Sequence, residues 1–289
     1  MAKTYNDVYL AARRRLKAAF GPEEGEAASV EARLLLAFAA GKTTAEFVRD
    51  LRYYVTPEYE ETVERMLRRR EAGEPCAYIT GGWEFYGLPF VVSPAVLIPR
   101  LDTEVLVDAA LDRAGRLAAP RILDLCCGSG CIGVALLAKL PEARAILADC
   151  SDEALQLARK NTLLNRVSGR AACLRADALT PPPAPLKDFD ILVCNPPYIR
   201  SAEIGSLDPS VRDYEPRLAL DGGRDGLDFY RSVCRDWQAA LRPGGVLFFE
   251  CGEDQAPDVA RIGEETGLRL VKTVKDTLGV ERVVVLERR

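Results

Sequence analysis

The sequence predicts an α/β fold: a mostly parallel seven-stranded sheet within residues 101–289, preceded by a small helical bundle over 1–75 and a β-hairpin linker over 76–100. Three observations carry the prediction. From residue 120 onward short apolar runs alternate with stretches of helical period, the pattern of parallel strands joined by crossover helices. Before residue 75 the apolar residues recur only at helical spacing. Between the two, Trp83-Glu84-Phe85 and Phe90-Val91-Val92 flank Gly87 and Pro89, which signals a hairpin.

In the first segment Val8, Ala12, Leu16 and Phe20 recur every four residues up to a Gly21-Pro22 stop. Val30, Leu34, Ala37 and Phe38 are expected to line a second helix that ends at Gly41. Thr43 with Glu46 has capping-box spacing for a third. Thr56-Pro57 supplies an N-cap and a proline at the first helical position of a fourth, which carries Tyr59, Val63 and Leu67. After the hairpin, Asp102-Thr103-Glu104 offers acids and a hydroxyl suited to a helix start.

The alternating region begins with a strand over 121–125, the loop Cys126-Cys127-Gly128-Ser129-Gly130 and a helix from Ile132 stopped by Pro141. A strand over 145–148 ends in Asp149, and Ser151 caps the next helix. The third strand, 172–175, leads to Asp177 and a loop with Pro181, Pro182, Pro183 and Pro185. The fourth covers 191–194. A helix over 227–241, a Pro243-Gly244-Gly245 turn, a strand over 246–250, a helix over 255–265 and strands near 268–272 and 280–286 complete the pattern. The segment between Ile199 and Gly226 is long for a structureless connection, and a substrate-covering loop is expected there.

Composition narrows the function classes. At 289 residues with 48% hydrophobic content, one to two domains and a full core are expected. The 39 basic and 43 acidic residues leave a net charge of −4, which argues against a stand-alone nucleic-acid binder. No direct nucleic-acid partner is expected. No apolar run reaches the length of a membrane span, and the N-terminus lacks the apolar core of a signal peptide. The nine cysteines, an odd number, read as free thiols in a reduced compartment, so a soluble cytoplasmic protein is expected. Cys126, Cys127 and Cys131 include no Cys-x-x-Cys pair and the chain has no histidine, so no metal site is expected.

The fourth strand carries the chemistry. Ile191 to Cys194 is a buried apolar run that must stop at Pro196 and Pro197, which lack a ladder donor. Asn195 precedes a proline and is held extended, so its amide projects past the strand end, where open α/β sheets hold their ligands. Asn195-Pro196-Pro197-Tyr198 suits methylation of a planar nitrogen, a poor nucleophile whose lone pair is delocalised. The Asn195 oxygen and the Pro196 carbonyl can each accept one of its hydrogens, and Tyr198 can stack on the flat group. The methylated nitrogen is acidic enough to lose its proton unaided, so no dedicated base is required.

Two nucleotides compete for the loop before it. Gly128-Ser129-Gly130-Cys131-Ile132-Gly133 satisfies G-x-G-x-x-G after a strand, and Asp149 stands where a ribose-binding acid of an NAD site would. Asp124 on the strand before the loop favours S-adenosylmethionine, because its carboxylate can orient the loop or receive an ammonium group. Asp177 and Ala178 lie where an adenine would rest.

With Asn195-Pro196-Pro197-Tyr198-Ile199 placed after such a fold, the chain resembles the peptide-chain release factor glutamine N5-methyltransferases. The likeness extends to residues 98–104 (IPRLDTE), 122–125 (ILDL), 215–223 (EPRLALDGG) and 225–231 (DGLDFYR), and to Lys275-Asp276 with Arg282-Val283-Val284. It implies a helical substrate-docking domain, a hairpin linker and a Rossmann-like class I methyltransferase domain with a reversed last strand. It implies methyl transfer from S-adenosylmethionine to the glutamine of the Gly-Gly-Gln loop of release factors. By position, Asn195, Pro196, Pro197 and Tyr198 would hold that amide, and Cys126, Cys127, Gly128, Ser129, Gly130, Asp149, Ala178 and Asn195 would line the cofactor, with Asp124 and Asp177. Cys126 and Cys127 depart from a usual glycine and hydroxyl residue, Leu101 from a proline and Ala178 from a larger residue. A ribosomal-protein glutamine, an adenine N6 amine, or a cofactor-binding role without catalysis are the rival readings.

Overall fold

The structure is a computed structural model describing residues 2–21, 25–184 and 186–289. Pro22 and Pro185, named above in a helix stop and a loop, lie outside the described residues. The chain divides into two compact units, Met1–Gly81 and Gly82–Arg289.

The first unit comprises α1 (Tyr5–Phe20), α2 (Gly25–Ala39), α3 (Thr44–Arg49), α4 (Pro57–Glu71) and α5 (Cys76–Thr80). Thr43 and Glu46 form the expected capping box, and the Thr56 hydroxyl accepts the Tyr59 N–H at 3.3 Å ahead of Pro57. The expected face of α2 is corrected. Val30 and Phe38 are 56% and 53% exposed, and the helix buries Ala28, Ala32, Leu35 and Leu36 beside Ala37. A helix this apolar carries two candidate stripes, and the one rich in alanine lets the neighbouring backbones approach more closely. The hairpin linker expected from residue 76 starts later, because 76–80 form α5. Cys76 and Ile79 bury themselves in the core of this unit, and Gly81 ends the helix in the left-handed region.

The second unit opens with the hairpin β1 (Gly82–Phe85) and β2 (Leu88–Val91), paired Phe85 to Leu88 across Tyr86 and Gly87. Both turn residues have positive φ, the geometry that matches strand twist. There follow α6 (Glu104–Ala114), β3 (Arg121–Leu125), α7 (Cys131–Lys139), β4 (Arg144–Asp149), α8 (Asp152–Leu164), β5 (Ala171–Arg175) and β6 (Phe189–Cys194). The chain continues through α9 (Pro209–Arg212), α10 (Asp228–Asp236), β7 (Leu241–Glu250), α11 (Ala256–Glu265), β8 (Arg269–Lys275) and β9 (Glu281–Glu287).

The seven-stranded sheet has the order β5-β4-β3-β6-β7-β9-β8. β5, β4, β3, β6 and β7 run parallel, and β9 lies antiparallel between β7 and β8, so the last strand is reversed. From β3 the chain winds outward through β4 and β5, then returns to place β6 on the other side of β3. The carboxyl ends of β3 and β6 therefore form a topological switch point, where such sheets hold ligands. Every residue of β6 is buried, as expected for a central parallel strand covered on both faces. Its Leu192 shares a core cluster with Tyr230, Trp237 and Phe249.

The expected Pro243-Gly244-Gly245 turn is absorbed into β7. Leu241 already pairs with Phe189, and the ladder resumes at Ile191 and Val246, leaving 242–245 as an irregularity. The segment 199–226 contains α9 and two short 3-10 turns, and it closes on itself through Ile199 N–H to Leu220 O (3.0 Å) and Gly222 N–H to Ile199 O (2.8 Å). A Cβ at Gly222 would fall 2.7 Å from the Tyr198 Cα, so only glycine lets the returning loop press on the 197–198 backbone.

Candidate active site

One cavity opens over the switch point. It is lined by Cys126, Cys127, Gly128 and Ser129 after β3, by Asp149 after β4, by Asp177 and Ala178 after β5, and by Asn195 and Pro197 after β6. The structure thus brings together nine of the residues singled out in the sequence. Gly130, Asp124, Pro196 and Tyr198 do not line it.

The loop after β3 is shaped by hydrogen bonds. Cys127 N–H donates to the Ala148 carbonyl at 3.0 Å, and Gly130 N–H to the Cys127 carbonyl at 2.7 Å. Gly128 N–H donates to Asp149 Oδ2 at 2.8 Å, while Asp149 Oδ1 accepts from Ser151 N–H at 2.9 Å. Burial, opposed by these backbone donors, raises the Asp149 carboxyl. Gly128 has positive φ, and a Cβ there would meet nothing within 4 Å, so its backbone lies open to the cavity.

The other two glycines of the motif serve packing. A Cβ at Gly130 would lie 3.2 Å from that of Ala158, and one at Gly133 only 2.4 Å from Leu147 and 2.9 Å from Asp124 Oδ2. Asp124 lies fully buried under the loop. Its Oδ2 accepts Gly133 N–H at 2.8 Å, its Oδ1 has no partner among the described residues, and burial pushes its carboxyl up to about 7. Of the two roles expected for it, this geometry supports orienting the loop and the start of α7.

Cys126 adopts φ 60°, the left-handed region where a glycine is usual, and its thiol faces Cys194 on the neighbouring strand. Hydrogen bonding to Cys194 and burial raise this thiol well above its ordinary value, so it is no nucleophile. Asp177 makes a turn, its Oδ1 accepting Leu179 N–H at 2.9 Å, and it also borders the cavity. The Ala178 carbonyl accepts from the Ser232 hydroxyl at 2.8 Å, which pins this turn to α10.

Asn195 leaves β6 with its amide towards α6: Nδ2 donates to the Thr103 hydroxyl at 3.3 Å. Tyr198 is half-buried against Gly252 at the end of β7, its carbonyl accepting from Gln255 at 3.0 Å, and burial pushes its phenol up to about 12. The stacking role expected of Tyr198 therefore finds no support in the cavity lining.

Several lining residues escaped the sequence reading. The segment 95–100 forms one wall, tied down where Glu215, buried, pairs with Arg100 and accepts Ile98 N–H at 3.3 Å. Pro216, Leu218 and Ala219 of the returning loop border the mouth, in line with the expected covering segment. Asn161, fully buried on α8, joins the Ser129 carbonyl (2.8 Å) to the Val91 backbone of the hairpin (2.7 and 3.0 Å). A polar residue on the buried face of α8 was the available signal. Thr103 was assigned to a helix cap, but its hydroxyl makes no cap bond and is turned into the site.

The residues present fit S-adenosylmethionine. Gly128 offers open backbone, Asp149 faces the cavity with a carboxylate, and Asn195 stands at the adjoining strand end, where a methyl acceptor must meet the donor.

The family model described as "Methyltransferase small domain" matches residues 100–207, and that described as "PrmC N-terminal domain" matches residues 8–81. Among curated relatives, a "Release factor glutamine methyltransferase" of Geobacter sulfurreducens is 42% identical over 90% of this chain and 89% of its own length. Proteins of the same name from Agrobacterium fabrum and Caulobacter vibrioides are each 40% identical, covering 96% and 99% of this chain and 96% of theirs. A solved methyltransferase from Pyrococcus furiosus aligns with TM-score 0.50 at 15% identity, over 78% of this chain and 97% of its own, a likeness of fold.

Proposed function

The chain belongs to the release factor glutamine methyltransferase family, and from that premise we propose that it methylates the side-chain N5 of the glutamine in the Gly-Gly-Gln loop of peptide-chain release factors. It is an S-adenosylmethionine-dependent methyltransferase. The observation that supports the finer reading is the meeting of the Gly128–Asp149 side of the cavity with Asn195 at the switch point.

S-adenosylmethionine supplies an electrophilic methyl group when bound. Asp149 would hold the ribose hydroxyls, Gly128 and Ser129 would lie against the amino-acid end, and the Asp177–Ala178 turn would flank the adenine. The Asn195 Oδ1, at the cavity wall, would accept one hydrogen of the glutamine amide, and the Pro196 carbonyl, although Pro196 does not line the cavity, would accept the other and fix the nitrogen. Both oxygens place partial negative charge beside the positive charge that develops as the N–C bond forms. The nitrogen then loses one proton to water. The chain has no histidine, and the Cys126 thiol in the lining is held high by hydrogen bonding to Cys194 and by burial, so neither supplies a base near neutrality.

The acceptor is taken to be a protein, not nucleic acid. The net charge of −4 opposes a phosphate backbone, and a base amine would require flipping into the site. No helix among the described residues is long and apolar enough to cross a membrane, and translation factors place the enzyme's work in the cytoplasm. The test is transfer of label from radioactive S-adenosylmethionine to a purified release factor, with a ribosomal protein mixture and DNA as competitors. Labelling should vanish when the loop glutamine is changed to glutamate, and Asn195→Ala should remove it while leaving S-adenosylhomocysteine affinity near wild type. Efficient labelling of DNA, or undiminished labelling of the glutamate variant, refutes the acceptor.

A further inference from the structure

An asparagine amide has two nearly isosteric ends, one donating and one accepting. The proposed chemistry uses only the accepting end of Asn195, so something must keep Oδ1, not Nδ2, towards the acceptor. Behind Asn195 lie two side chains that the reaction has not yet used. Thr103, on the turn before α6, is buried and accepts from Asn195 Nδ2 at 3.3 Å. Glu250, the last residue of β7, is buried beneath them, facing the Thr103 hydroxyl and the Asn195 amide. Its Oε2 has no hydrogen-bond partner among the described residues. A carboxylate left half-satisfied in the core is costly, and among the described residues no ion pair within 4 Å offsets it. No structural gain visible in the fold accounts for it.

We propose that Glu250, acting through Thr103, is the positioning residue that sets which end of Asn195 faces the methyl acceptor. An ionised carboxylate only accepts. It therefore accepts a hydrogen bond from the Thr103 hydroxyl, Thr103 must then accept from Asn195 Nδ2, and Oδ1 is left facing the cavity. Protonated, Glu250 can donate to Thr103, the direction of the chain reverses, and Asn195 presents its NH2 to another NH2. That arrangement repels the acceptor. The inference rests on the reading of Asn195 as the residue that holds the acceptor.

Among the charged and titratable groups that face it, Glu250 is the one that switches near neutrality; Asp124, also raised to about 7, lies under the loop after β3 and is not hydrogen-bonded to Thr103 or Asn195. Burial pushes it up to about 7, opposed by hydrogen bonding to Thr103, by Arg282 on β9 and by a direct hydrogen bond to Asn195, and assisted by Asp102. Arg282 is itself held by Asp276 at 2.9 Å and Asp102 at 3.6 Å. Tyr198, Tyr230 on α10, Cys131 at the start of α7 and Cys251 also face it, and burial raises all four, keeping them neutral. Turnover should therefore rise with pH through the Glu250 titration and level off above it.

The experiment compares wild type with Glu250→Gln, Thr103→Val and Thr103→Ser, folding being checked by circular dichroism. Glu250→Gln and Thr103→Val should lower kcat on the order of 10- to 100-fold, the scale of a misplaced catalytic group. KM for S-adenosylmethionine should hold, and Thr103→Ser, which keeps the hydroxyl, should restore most of kcat. The rising limb of the kcat–pH profile near 7 should disappear in Glu250→Gln. Wild-type kcat with an unchanged profile in Glu250→Gln overturns the proposal. So does a loss in Thr103→Ser equal to that in Thr103→Val, or a loss confined to cofactor KM. If wild type labels a different flat NH2 acceptor, the release-factor reading fails, and the same comparison made on that acceptor still decides the role of Glu250.

Discussion

At the scale of single residues, the site joins two kinds of carboxylate, one in the cavity lining and one buried behind Asn195. Asp149 sits at a strand end with both oxygens on backbone donors and one side open to the cavity. Asp149→Ala should weaken S-adenosylhomocysteine binding by roughly 2 kcal/mol, the scale for polar groups left unpaired, as read by calorimetry. Unchanged affinity would move the ribose contact elsewhere. Glu250 is different because it is held against its own solvation. A carboxyl raised in the folded state from 4.5 to about 7 favours folding least once it must ionise. Its drag on stability is absent below about pH 4.5, grows as pH rises to 7 and persists above. Glu250→Gln should therefore unfold at higher urea than wild type at pH 8, by up to roughly 3 kcal/mol, and at nearly the same urea at pH 4.5. An enzyme that is slower and sturdier at pH 8 is the expected result. A variant less stable at both pH values would mean that Glu250 supports the fold.

At the scale of elements, the loop between β3 and α7 shows why a glycine motif alone does not identify a nucleotide. Only Gly128 lies open to the cavity, whereas Gly130 and Gly133 permit the close packing of α7 on α8 and β4. Gly133→Ala should cost roughly 1–3 kcal/mol in chemical denaturation, since its methyl must displace Leu147 and crowd the Asp124 carboxylate. A neutral effect would show that α7 shifts freely. Most strand spans, the hairpin turn and the caps at Thr43, Thr56 and Ser151 were legible in the sequence because each depends on neighbours a few residues away. The buried face of α2 and the helix α5 were not. An apolar helix offers several faces, and a short helix gains its stability from what it packs against.

At the scale of the whole molecule, the sheet topology supplies the switch point, and the chain divides into two compact units. Residues Gly82–Arg289 contain the complete cavity. A chain lacking residues 1–81 is expected to bind S-adenosylhomocysteine as the full chain does and to methylate a short Gly-Gly-Gln peptide comparably. On an intact release factor its kcat/KM should fall roughly ten-fold or more, the loss expected when a second point of attachment is removed. Equal losses on peptide and factor would count against a docking role for the first unit.

By itself the sequence determined the order along the chain of the sheet strands and of the helices between them, the reversed last strand through its likeness to a family, and the placement of Asn195 past a proline-stopped strand. These follow from periodicity, proline chemistry and turn residues, all of which act over short stretches of chain. Only the tertiary structure decided what stands behind Asn195. Thr103 reads as a helix cap and Glu250 as the polar end of a strand, yet folding turns the threonine hydroxyl towards an amide 92 residues away. It also strips the glutamate of water beside them. A hydrogen bond between such distant positions exists only once the start of α6 is packed against β6 and β7, and no local preference encodes it.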